Sequence, residues 1–399
     1  MQEENIVKAK EKKQKNKLIL TAVVTAVISV FISFGIFFLV FFSGNKYVKL
    51  RELDYFIENY FYGQTDTEKI VDSLLSGYVY ALDDKYANYY NAENAQSRED
   101  SLMGNAKGIG IIVTNHPDTK DIYVKRVYDN CPAASAGIKA GDRITAIDGV
   151  SVLETGYMSA VDSILREIGD TVELTVLRDG ESLQVRVEYS SFVSQSVFYR
   201  MLDNDIGYIE ITAFNAETVA QFENAVNDLM VKGAGSLIFD LRGNGGGTVD
   251  SVTEMVDFLV PEGVIMSAKY ADGEKKVIAK SGEDEIELPM VVLTDNKTAS
   301  ASELFTASIK EFGKGISIGT TTYGKGVMQS TYGFSDGSSV VFTVAEFYSH
   351  SGNSFNEKGI APDIEVKLNE EQEKYFHQLT FENDPVVTAA ASYLNDYEK

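Results

Sequence analysis

Ser300 stands where a buried-strand signal runs through a short polar turn into an amphipathic helix, in VVLTDNKTASASELFTASIKEF (residues 291–312). Its hydroxyl falls just before the first helical turn. There unpaired N–H groups and the positive end of the helix dipole face outward, and the N–H of Ala301 follows directly. A serine so placed could serve as a nucleophile with a site for an oxyanion beside it. The same residues fit a capping box, with Ser300 as N-cap and Glu303 at N3, and on local sequence this structural reading stays open.

A nucleophilic serine needs a base. Lys325, between Gly324 and Gly326, lies on a loop that can return to Ser300: helix 301–312 spans roughly 18 Å at ~1.5 Å per residue, and about six extended residues at ~3.3 Å cover the way back. A solvated lysine, with a pKa of ~10.4, is protonated and useless for this, so a Ser/Lys pair requires a dry pocket. Gln329 could hold the amine through its side-chain carbonyl without adding a charge. His350, in Tyr348-Ser349-His350-Ser351-Gly352, is the competing base, and Asp240 is either a triad acid or a hydrogen-bond partner of the glycine turn that follows it. That turn, Gly243-Asn244-Gly245-Gly246-Gly247, lies between a strand and a helix as nucleotide loops do. It lacks the third glycine of G-x-G-x-x-G and has no Gly-Lys-Ser/Thr, which leaves a cradle of outward N–H groups for an anion or oxyanion.

The elements that must position these groups follow from periodicity. Ile206–Ile211 and 236–240 read as strands, and helices carry Val219, Phe222, Val226, Leu229 and Met230, then Val249, Val252, Met255, Val256 and Leu259. Residues 270–288 read as exposed hairpins, and 316–318 as a short strand. Upstream, a β-rich unit from 107 to 189 has strands at 108–113, 122–127, 143–147, 171–177 and 182–187, with helices at 132–136 and near 158–165. Residues 46–92 read as two or so Tyr-rich helices, and the polar stretch Asn91–Asn105 as a boundary.

The 25 uncharged residues Leu18–Phe42 are long enough to cross a bilayer as a helix. Six Lys and three Glu precede them within residues 1–17, which predicts a signal anchor with a cytoplasmic N-terminus and an extracytoplasmic catalytic part. The 59 acidic against 36 basic residues give a net charge of -23, which argues against nucleic acid as a partner. A lone Cys131 allows no intrachain disulfide, and the three His residues show no zinc-ligand spacing, so no metal or cofactor is expected.

Two resemblances tie these features together. Gly108-Ile109-Gly110-Ile111 resembles the carboxylate-binding loop of a PDZ domain, and CPAASAGIKAGDRITAIDG (residues 131–149) resembles that family's helix-to-strand signature. A peptide C-terminus would add there as an antiparallel strand, its carboxylate held by loop N–H groups. Ser300 in TASASE, Lys325 in TTYGKG, Gln329, the upstream DLRGNGGG and the segment 336–364 together resemble the carboxyl-terminal processing (tail-specific) peptidases. The resemblance implies Ser300 as nucleophile, Lys325 as general base and Gln329 as the residue orienting it, with an oxyanion hole from the N–H groups of Gly245 and Ala301. It implies an α/β multidomain protein whose peptidase core is of the crotonase-like and ClpP-like spiral type. Substrates would be proteins with unstructured C-terminal tails, and it implies too that the PDZ module gates activity and that homodimers form. Relatives often carry a Pro within the Gly run, where this chain has Gly. The expected organisation is a tail at 1–17, a transmembrane anchor at 18–42, a helical region at 43–95, the PDZ domain at 96–189, the serine peptidase core at 190–368 and a C-terminal helical segment at 369–399. The rival functions are a non-catalytic PDZ scaffold and an acyl-CoA enzyme on a crotonase-like core, the latter disfavoured by the extracytoplasmic topology.

Overall fold

The strand that leads to Ser300 lies inside a six-stranded sheet. In this computed structural model, which describes residues 2–42 and 45–397, the order across the sheet is Val197–Met201, Ile206–Ile211, Ser236–Asp240, Met290–Thr294, Gly315–Gly319, Ile364–Glu365. All neighbours are parallel except the first pair. Parallel strands need crossovers, and the helices Thr218–Val231, Val249–Asp257 and Ala301–Glu311 occur within them.

Both faces of the sheet are covered, and the period of two decides which residue goes where. Leu237, Phe239, Met290 and Val292 pack with Phe222, Val252, Met255, Leu304 and Phe305 from the three crossover helices. Their alternates Ile238, Val291 and Leu293 pack with Val386, Val387, Ala390 and Leu394 of the C-terminal helix Pro385–Tyr397. This double burial explains why these strands read as continuous apolar runs. A second, antiparallel sheet joins the strands Asn88–Tyr90, Ser339–Tyr348, Gly263–Tyr270 and Lys275–Ser281, with Val327–Gly333 also on Ser339–Tyr348.

The unit between 105 and 193 has its own core of Ile122, Val124, Ile144, Leu174, Val176 and their neighbours. Its sheet runs Ile111–Asn115, Ile122–Val127, Arg143–Ile147, Thr171–Arg178, Glu181–Glu188. Ile111–Asn115 is an edge strand, with the helix Tyr157–Asp162 following later in the chain.

The chain divides into a unit of residues 1–71 and one of residues 72–399. The first contains the helices Gln2–Phe42 and Asn45–Tyr60. Within the former, the 27-residue span Lys12–Phe38 contains an 18-residue stretch with a mean hydropathy of 2.5, long and apolar enough to cross a membrane.

Two expectations need correction, and one polar stretch has structure that its composition does not announce. Within Asn91–Asn105, Ala92–Leu102 is a helix whose first turn is capped by Asn91, which accepts the Asn94 N–H at 3.0 Å. It has almost no apolar residues to betray its period. Residues 108–113 are not one strand. Gly110, at φ +82°, breaks them, so that Asn105–Gly108 pairs with Ser190–Val193 and Ile111 begins a different sheet. A Cβ at Gly110 would lie 2.3 Å from the Cβ of Cys131, which explains why glycine occupies the break. Met230 is 41% exposed and not part of the buried helix face.

Candidate active site

Ser300 is held from three sides. The turn before it is built on Asp295, whose Oδ1 accepts the N–H groups of Lys297 and Thr298 at 2.9 Å each and that of Gly243 at 3.0 Å. Ser300 itself has φ +58°, ψ −117°. An ordinary N-cap is extended; this conformation is sparsely populated for a residue with a Cβ and costs on the order of 1–3 kcal/mol. Strain of that kind persists only where the surroundings fix it. One arm of a capping box is formed: Glu303 accepts the Ser300 N–H at 2.8 Å, while the Glu303 N–H donates to Ser300 O at 2.9 Å. The Ser300 hydroxyl makes no side-chain cap bond to the helix.

The glycine turn lies directly against this junction. Asn244 O accepts the Ala299 N–H and the Ser302 hydroxyl, both at 3.0 Å, while Asn244 Nδ2 donates to Ile211 O at 2.8 Å. Gly246, at φ +103°, comes so close that a Cβ there would sit 2.8 Å from Ala299 O and 2.9 Å from Ser300 Cβ. Its own N–H is committed to Asn244 Oδ1 at 2.8 Å. The N–H groups of Gly245 and Ala301 have no acceptor among the described residues. Asp240 does not hold the turn. It binds the Arg242 guanidinium and backbone N–H and accepts from the Tyr208 hydroxyl at 2.6 Å. Burial works against its charge, but Arg242 and these hydrogen bonds together keep its carboxyl below the ordinary range. Arg242 Nη1 also lies 2.8 Å from Asp384, close enough for an ion pair though misaligned for a hydrogen bond.

Lys325 reaches the same junction through its backbone. Glu303, fully buried, accepts the Lys325 N–H on Oε2 at 2.8 Å, and on Oε1 the Gly324 N–H at 2.6 Å and the Thr322 hydroxyl at 2.5 Å. Sequence marked Glu303 only as a cap; its second role spans 22 residues and leaves no local signal. The Lys325 amine lies 4.7 Å from the centre of the Tyr86 ring. Burial first, then the charge of Arg98, lowers its pKa, opposed by Asp84 and Glu303. Gln329 sits at a bulge in the strand that follows, its Nε2 donating to Val327 O and Thr343 Oγ1 at 3.2 Å each. Neither Gln329 nor the Ser300 hydroxyl forms a hydrogen bond with the amine; such bonds often tighten only with substrate in place.

His350 is at the wrong end of the nucleophile helix. Its Nδ1 is 3.0 Å from Val264 O, its ring packs at a 35° tilt against Phe312 with centroids 3.9 Å apart, and its neighbours Ser349 and Ser351 bind Glu311 in the last helical turn. Among the described residues no group of three or more His, Cys, Asp or Glu is arranged to hold a metal ion.

In the unit before the core, Gly108 pairs with Ser190, Ile109 is buried with its O accepting the Ala133 N–H at 2.8 Å, and Gly110 O accepts the Tyr128 N–H at 3.0 Å. Ile111 opens the edge strand. The unit docks on the core through Arg126, which pairs with Glu210 at 2.6 Å and lies 3.7 Å over the Phe198 ring. Asp118 adds bonds to Lys374 and the Tyr375 hydroxyl, both at 2.7 Å. A cavity of about 1240 Å³ lies along this seam, lined by Ile112, Lys125 and Arg126 on one side and by Asp240, Gly243 and Asp295 on the other. It does not include Ser300 or Lys325, but it borders the glycine turn beside them.

A serine on a strained strand-to-helix turn, a half-buried lysine tied to the same carboxylate, and a separate β-rich unit docked alongside define a serine-type peptidase with a PDZ domain. Residues 107–189 match the PDZ domain family and residues 205–366 match Peptidase family S41. The chain is 33% identical over 326 residues to the carboxy-terminal processing protease CtpA of Bacillus subtilis, covering 81% of this chain and 70% of that one. It is 30% identical over 325 residues to CtpB of the same organism, covering 80% and 67%. A solved structure of a Bacteroides fragilis protein assigned to the S41 proteases is similar in fold, with a TM-score of 0.59 at 18% identity over 84% of this chain and 92% of that one. The chain belongs to peptidase family S41, among its carboxy-terminal processing serine proteases.

Proposed function

We propose that this protein is a serine endopeptidase that captures the unstructured C-terminal tail of a protein substrate in its PDZ groove and cleaves near that end with a Ser300/Lys325 pair. Ser300 Oγ attacks the scissile carbonyl carbon as Lys325 Nζ takes its proton. The amine returns that proton to the leaving nitrogen, and water then hydrolyses the ester on Ser300 by the reverse sequence. The N–H groups of Gly245 and Ala301 stabilise the oxyanion. Gln329 orients the Lys325 amine. The tail adds to the edge strand from Ile111, its carboxylate at the loop Gly108-Ile109-Gly110-Ile111, and tethering raises the local concentration of the upstream segment at Ser300. The core is of the crotonase-like and ClpP-like spiral type, and residues 18–42 anchor the chain in the membrane with the catalytic part outside.

The observation that carries this reading is the shared carboxylate: one buried oxygen of Glu303 fixes both the strained Ser300 and the backbone of Lys325, at 2.8 Å each. Cleavage of an unstructured-tail substrate by the wild type, Ser300→Ala and Lys325→Ala tests it. Loss of turnover in both variants is expected; equal turnover in all three refutes it.

A further inference from the structure

The Lys325 pocket is completed by a segment that lies more than 200 residues away in the chain. Tyr86 belongs to the turn Asp84-Lys85-Tyr86, just ahead of the strand Asn88–Tyr90, and that strand pairs with Ser339–Val341. The pairing brings the turn to the base. Asp84 then fixes it, accepting the Tyr86 N–H at 3.0 Å on one oxygen and the Thr343 N–H at 2.8 Å on the other. Thr343 Oγ1 donates to Asp84 at 3.2 Å and accepts from Gln329 Nε2 at 3.2 Å, so the turn and the strand bearing Gln329 are clamped together. The Tyr86 ring faces the Lys325 amine at 4.7 Å, and its buried hydroxyl lies beside the side chains of Lys85 and Tyr323.

We propose that Tyr86 is a positioning residue for the general base: its ring is the wall that keeps water from one side of the Lys325 amine, and the Asp84–Tyr86 turn completes the base pocket. This rests on the assignment of Lys325 as base. A ring face attracts an ammonium, while exclusion of water disfavours it. The two oppose, and for Lys325 burial is the leading influence, with the amine's affinity for its proton reduced. The other charged or titratable groups around the pocket are Asp84 and Lys85 on the same turn, Arg98 on the helix Ala92–Leu102, Glu303 on the nucleophile helix, Tyr323 on the loop of Lys325 itself, and Glu357, whose N–H donates to Gly324 O at 2.8 Å. None of them replaces the ring as an apolar wall. Lys85 also lies over the Tyr86 ring at 4.9 Å.

Profiles of kcat and KM against pH for Tyr86→Phe and Tyr86→Ala, on an unstructured-tail protein substrate, test the assignment. Tyr86→Phe retains the wild-type profile. In Tyr86→Ala water reaches the amine, and the acid limb of kcat moves to higher pH by about one unit, a roughly tenfold loss at neutral pH regained on the alkaline side, while KM stays within about twofold. A limb that stays in place, or moves to lower pH, overturns the proposal, because a merely structural defect scales the whole profile. Should Tyr86→Ala not unfold cooperatively, Tyr86→Val is read in the same way. Lys325→Ala separates the two levels of inference. Retained turnover there overturns the base assignment and the Tyr86 role with it; an inactive Lys325→Ala beside an unmoved Tyr86→Ala limb overturns the Tyr86 role alone.

Discussion

The backbone N–H groups of Ser300 and Lys325 donate to one and the same atom, Oε2 of Glu303, each at 2.8 Å. The other oxygen takes Gly324 and Thr322. A carboxylate with no solvent exposure that accepts four hydrogen bonds is a rigid joint, and here it joins the turn of the nucleophile to the loop of the base.

Glu303→Gln keeps the shape of the joint but turns an NH2 group toward donors. Leaving two buried donors unpaired costs on the order of 2–4 kcal/mol. Urea unfolding should show that loss, and turnover should fall by about a hundredfold or more, because both reacting groups shift. Wild-type kcat in a folded Glu303→Gln protein contradicts the joint.

Gly246→Ala drives a Cβ to within 2.8 Å of Ala299 O at a φ of +103°. The glycine turn or Ser300 must then move. Stability falls by about 1–3 kcal/mol, and labelling of Ser300 by a serine-reactive phosphonate slows at least tenfold. Gly245→Ala, where a Cβ meets nothing within 4 Å, leaves the melting temperature in place.

Lys325→Met tests the linkage of the buried amine to pH. Its pKa in the folded protein lies below that of an ordinary lysine, principally through burial. Between the two values the unfolded chain holds a proton that the folded one does not, so stability rises with pH across that window. Below the folded value the charged amine costs stability in full. The methionine variant therefore melts at a higher temperature than the wild type near neutral pH, and its advantage shrinks as pH approaches the ordinary lysine range. Its turnover falls by about 10²–10⁴-fold, the usual weight of a general base. An unchanged melting temperature at neutral pH argues that the amine is solvated.

His350→Ala is expected to retain turnover within about twofold. The nucleophile helix, Ala301–Glu311, is roughly 16 Å long at ~1.5 Å per residue, and His350 packs at its far end. Loss of turnover without loss of folded protein would return the histidine to the list of candidate bases.

Legibility in the sequence followed the range of the interaction. The strands Ile206–Ile211 and 236–240 and the helices after them were readable because burial on both faces, or on one helical face, writes itself into a period of two or 3.6. Ala92–Leu102, held by Asn91 and by tertiary contacts, wrote no such pattern. The break at Gly110 was hidden because its cause, Cys131, lies 21 residues on.

For the candidate site the same division holds. The sequence by itself determined that a serine sits at a helix start, that a glycine turn follows a buried strand ending in Asp240, and that a lysine lies between two glycines within reach, because strand, turn and helix signals are local. Only the tertiary structure decided that Asp240 turns away to Arg242 and Tyr208, that His350 lies at the far end of the helix, and that Glu303 and Tyr86 close on Lys325. Those outcomes depend on strand register and sheet order, which bring together residues 22 and more than 200 positions apart, and no run of neighbouring residues encodes that distance.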